Sequence, residues 1–164
     1  MELQIEIKST SKALNIFSNQ EGSKQNIARI PKTRVFLRQK KELADKIAKH
    51  ITDNLINERK YTGGKASPLK PSTIKRKGHS RIFFDKGILV KSIKTKKDGD
   101  NYKVYVADKR AEIAGYLQQG TDKMVARPFF GITKTKLNEY VKQVFSKMTF
   151  NERQEFLKDV GRGV

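Results

Sequence analysis

The sequence predicts an α+β fold: a small antiparallel sheet packed against a long helix in the N-terminal half and against C-terminal helices, with a long basic loop between. Three observations carry this. Leu3, Ile5 and Ile7 alternate with polar neighbours at the period of a half-buried strand. Between Phe36 and Ile56 the apolar residues recur at spacings of three and four, the stripe of an amphipathic helix. Two β-rich runs flank an Asp-Gly pair at Asp98 and Gly99, a strong hairpin signal.

Taken in order, MELQIEIKST reads as a strand and lacks the apolar block of a signal peptide. The stretch SNQEGSKQNIARIPK is polar and aperiodic, so a loop ending near Pro31 is expected. A helix over about 34–58 follows, with Leu43, Ala44, Ile47, Ala48, Ile51 and Leu55 on its apolar face. Segment 59–86 is punctuated by Gly and Pro and is expected to be an extended arm on a single domain spanning 1–164. Its one helical turn falls at Pro71 to Lys77, where Pro suits the first helical position. ILVKSIKT and YKVYVAD read as the two hairpin strands, with Val104 and Val106 sharing a face. AEIAGYLQQGTDK fits either a helical turn or a strand entering a turn at Gly120. A second helix follows, N-capped by Thr133 or Thr135, and Thr149 with Glu152 has the spacing of a capping box opening a short helix that carries Phe156, Leu157 and Val160. The expected core is Phe36, Leu43, Ile47, Ile51, Leu55, Val104, Val106, Leu137, Val141, Val144 and Phe145.

Composition narrows the function classes. With no cysteine a thiolate site has no ligands, His50 and His79 are too few for a histidine-based metal cluster, and a reducing compartment or indifference to redox state is expected. Both histidines read as surface groups. The acids near the hairpin, Asp98 and Asp100, suit turns, and Ser67, Ser72 and Ser92 lack a recognisable base. TGGKAS at 62–67 lacks the glycine spacing of a phosphate loop. No catalytic residue, cofactor or metal is therefore expected, and no enzyme. The 36 Lys and Arg against 17 Asp and Glu give +19, a field that favours a polyanionic partner. The charge is densest between Lys65 and Lys97, so Lys65, Lys70, Lys75, Arg76, Lys77 and Arg81 are the expected partner- or DNA-facing residues.

MVARPFFGIT at 124–133 is the unusual stretch. Pro128 holds Arg127 extended, and successive phenylalanines in extended chain face opposite ways. Phe129 or Phe130 would then anchor the following helix while the other ring reaches a second surface, such as a neighbouring subunit, with Arg127 paired to a carboxylate. The alternative is that both rings lie in a two-sided core and Arg127 is a satisfied structural residue.

Three stretches in order, PLKPSTIKRKG at 68–78, FDKGILVKSI at 84–93 and YLQQGTDKMVARPFFGIT at 116–133, resemble the virion morphogenesis, or tail-completion, family of tailed bacteriophages. The match is carried by Leu69, Thr73, Lys77 and Gly78, then Asp85, Gly87, Leu89 and Ser92, then Gln119, Gly120, Ala126, Arg127, Pro128, Phe129 and Gly131. The resemblance implies a non-enzymatic virion protein assembled in the host cytoplasm, without cofactor or membrane partner. It would form a homo-oligomeric ring at the head-proximal end of the tail or neck, between head connector or portal-side proteins and tail tube or terminator proteins, with packaged DNA in its lumen. Asp85, Gly87, Gln119, Gly120, Arg127, Pro128, Phe129, Phe130 and Gly131 become its structural or subunit-interface residues. The alternative is a free basic nucleic-acid-binding protein, with Tyr61, Phe83 and Phe84 near the arm available for stacking.

Overall fold

The computed structural model describes residues 3–9, 13–19, 24–31, 37–107, 110–147 and 149–151. Alternation in β1 (Gln4–Ser9) buries Leu3, Ile5 and Ile7 completely. The same alternation recurs in β2 (Ala13–Ser18), where Leu14 and Ile16 are buried and Ile16 pairs with Ile7. β3 (Gln25–Pro31) corrects the expected loop. An edge strand has one partner and one covered face, so its apolar signal is weak: Ile27 and Ala28 pack on the core from the side. Pro31 is tolerated there because an edge needs no donor on its open side.

The sheet is antiparallel throughout, in the order β3-β2-β1-β5-β4. β4 (Ile93–Asp98) and β5 (Asn101–Val106) form the expected hairpin, with Asp98 opposite Asn101 and Gly99 at φ 58° in the two-residue loop. The first hairpin strand begins later than expected. Residues Ile88–Lys91 form a helical turn, α3, entered from Gly87 at φ 69°, so ILVK is not strand.

α1 (Leu37–Ile56) lies over β4 and β5 and against α5 (Lys134–Ser146), burying Leu43, Ala44, Ile47, Ile51 and Leu55. Lys40, also on α1, is 3% exposed and donates its Nζ to the Asp100 carbonyl of the hairpin loop. Burial lowers its pKa against the pull of Asp100. Thr133 caps α5, its Oγ1 accepting from the Lys136 N–H at 3.3 Å. α4 (Arg110–Gln119) settles the ambiguous segment as helix, and α2 (Pro71–Lys77) is the expected turn within the basic loop. Of the expected core, Leu43, Ile47, Ile51, Leu55, Val104, Val106, Leu137 and Val144 are buried, whereas Val141 and Phe145 are only partly buried. Phe36, Glu152, Phe156, Leu157 and Val160 lie outside the described residues.

His50 is not the surface group its lysine-rich surroundings imply. It is half-buried between α1 and α5, with Nδ1 3.3 Å from the Tyr140 hydroxyl and the two rings edge to face at 5.9 Å. Burial and the nearby Lys136 ammonium push its pKa below the ordinary 6.5. The folded protein therefore resists a proton that the unfolded chain accepts, so stability falls as pH drops through about 6.5 toward the lower folded value. Urea midpoints at about pH 7.5 and about pH 5.5 are expected to differ more in the wild type than in His50→Gln. Equal differences would remove His50 as their cause.

Candidate partner-binding site

Segment 127–131 crosses the interior as irregular chain, and buried backbone needs partners. Arg127 N donates to Leu117 O at 2.6 Å, and Pro128 O accepts from Tyr61 N at 2.9 Å. Phe129 O accepts from Asn54 Nδ2 at 3.4 Å. The Gln118 side chain closes a two-way pair with Phe130, donating to its carbonyl at 2.9 Å and accepting from its N–H at 3.0 Å. One segment is thus tied to the end of α1, the loop after it and α4. Asn54 and Gln118 escape a reading of the sequence, because each sits in a helix as one more polar residue. The available signal was Asn54 beside Ile51 and Leu55 on the apolar face. Gln118 is buried and Gln119, the residue matched by the family resemblance, is exposed.

Phe129 and Phe130 are both 0% exposed, which bears out the two-sided core and rules against one ring facing outward. Their rings stand 6.3 Å apart at 89°, and Phe83 of the basic loop meets Phe129 at 5.5 Å. Both sides of the segment are interior, since the loop folds back over it. Arg127 likewise follows the alternative, as a satisfied structural residue without a carboxylate partner. It is 4% exposed and its guanidinium serves carbonyls rather than a carboxylate: Nε donates to Ser67 O at 2.7 Å, Nη2 to Pro68 O at 2.8 Å and Nη1 to Val125 O at 3.2 Å. Desolvation lowers its pKa, yet a guanidinium stays charged. Gly120 lets the chain make this approach. It has φ 78°, and a Cβ there would meet Ala126 N and Met124 O at 2.8 Å.

The loop itself is pinned at several points. Glu58 accepts from Ile82 N at 2.7 Å through Oε1 and from Ala66 N at 2.8 Å through its carbonyl. Lys70 Nζ donates to Lys123 O at 3.2 Å, and Lys77 Nζ to Arg81 O at 2.9 Å. Lys65, Lys70, Lys75, Arg76 and Arg81 are exposed, whereas Lys77 is half-buried. The Arg81 guanidinium covers the Phe84 ring at 4.0 Å from its centre.

Between α2, the chain through 82–89 and α4 lies a cleft of about 550 Å³. It gathers Arg76, Lys77, Asp85 and Arg127 from the expected site residues and adds Arg110 and Leu117. Lys65, Lys70, Lys75, Arg81, Gly87, Gln119 and Gly120 do not line it. Away from the cleft, the sheet face opposite α1 carries Lys94, Lys96 and Lys103 on the two hairpin strands, with Lys103 paired to Asp98 at 3.2 Å. No helix of the described residues is long and apolar enough to cross a membrane. Comparison with protein-family models, with curated proteins and with solved structures found no match to this chain.

Proposed function

We propose that the protein is a structural virion component of the tail-completion kind, forming a ring at the head-proximal end of a phage tail or neck and helping to join the tail to the DNA-filled head. It works by binding rather than by catalysis. One observation supports this reading above the others: the three stretches that resemble the family line one cleft, and the first and third, separated in the chain by the second, are hydrogen-bonded to each other. Arg127 of the third stretch holds Pro68 of the first and the adjoining Ser67, and Lys70 of the first reaches Lys123 of the third. Motifs that converge in space have a common reason for their order and spacing. The +19 charge supplies the long-range attraction that an anionic neck partner or packaged DNA requires.

Negative-stain electron microscopy with sedimentation velocity tests the reading, and closed rings with a central hole are expected from the purified protein. The rival, a free nucleic-acid binder, draws on the basic sheet face at Lys94, Lys96 and Lys103. A protein that stays monomeric at all concentrations, yet binds DNA with an affinity falling steeply with salt, would favour that rival.

A further inference from the structure

The cleft has two chemistries in one small space. Leu69, Phe83, Leu89 and Leu117 supply apolar lining, and Arg76, Lys77 and Arg110 stand in the same walls against the single carboxylate of Asp85. Arg127 also lines it, but its donors are taken by backbone carbonyls. The apolar surface continues outward. Ile113, in the wall, is 41% exposed, and Tyr116 one turn along α4 is 48% exposed. With Ile88 and Val125 they make up four of the six large apolar side chains that stand exposed among the described residues, all on segments bounding the cleft. An apolar surface of this kind, ringed by charge, marks an interaction site.

We infer that this cleft docks an extended segment of a partner protein in which a large aliphatic or aromatic side chain is flanked by Asp or Glu. The apolar side chain enters among Leu69, Phe83, Leu89 and Leu117, and the flanking carboxylates meet Arg76 and Arg110. Charge selects the partner's sign, since a second copy of this chain brings the same +19. Ring geometry favours a peptide over nucleic acid: Phe83 is 4% exposed, Arg81 lies over one face of Phe84, and the exposed Tyr116 ring has its hydroxyl on the Glu112 carboxylate, which repels a phosphate. A space of about 550 Å³ suits one or two side chains. The inference rests on the reading that the protein acts by binding, and it is independent of ring formation.

Fluorescence anisotropy tests it with a labelled peptide of about a dozen residues that has adjacent Leu and Phe at its centre and Asp or Glu on both sides. Saturable binding is expected, abolished when the central pair becomes Ser and when the acids become Asn and Gln. Either Arg76→Glu with Arg110→Glu, or Ile113→Ser alone, is expected to weaken binding about tenfold or more. One variant reverses charge and the other removes apolar surface, so loss of fold in one, seen by circular dichroism, leaves the other as the measurement. Absence of saturation overturns the inference. So does equal binding by the Ser peptide or by a single-stranded oligonucleotide, or unchanged affinity in a folded variant. Rings without peptide binding would sink this inference and leave the assembly reading standing, and peptide binding by a permanent monomer would do the reverse.

Discussion

Phe129→Ala and Phe130→Ala are each expected to lower unfolding stability by about 3–5 kcal/mol, read from urea midpoints. Each ring is fully buried, so its removal loses the transfer energy of the side chain and leaves a cavity that rigid neighbours fill only in part. Phe129 carries an added term because it sits edge to face with Phe130 and against Phe83, contacts worth about 0.5–1.5 kcal/mol beyond area. The double variant should therefore lose less than the sum of the singles, as residues in contact do. A stable variant at either position that fails only in assembly would restore the picture of one outward-facing ring.

Arg127→Met is expected to cost about 2–4 kcal/mol, because it keeps the aliphatic stem but strands the carbonyls of Ser67 and Pro68 at about 1–3 kcal/mol each. Ser67 and Pro68 lie within the basic loop, so the loss has a local signature: amide exchange through 66–85 should accelerate more than exchange in β1. Arg127→Lys is a sharper test. A lysine keeps the charge but has no planar fork to serve two carbonyls at once, so it should recover only a small part of the loss. Full recovery by lysine would mean that charge alone, rather than hydrogen-bond geometry, holds the loop.

The α1 helix, the α2 turn, the hairpin about Gly99 and the Thr133 cap were legible because each has a local cause: a period, a proline at a helix start, a turn pair, a capping hydroxyl. β3 was not, since the reason for its strand is the partner β2 rather than anything in QNIARIP. Phe129 and Phe130 show the same boundary within the site. Local geometry places the rings on opposite sides, but which sides are interior is decided by the basic loop folding over them. The extended Arg127 was legible from the proline after it and its partners were not, because a search for partners among charged side chains passes over backbone carbonyls. Gln118 and Asn54 became visible only when the hydrogen bonds of segment 127–131 were followed to their ends.

The pairing of β1 with β5 also has a kinetic consequence. The two flanking hairpins, β1 with β2 and β4 with β5, join residues close in the chain and can form early and separately. Their union brings residues near Ile5 to residues near Val104, across α1 and the entire basic loop. Closing so long a loop is entropically costly before its contacts form, which places the rate-limiting step at the centre of the sheet. Because that cost grows only with the logarithm of loop length, the basic loop is where this chain accepts insertions with least penalty to folding, provided the Glu58 and Arg127 anchors remain.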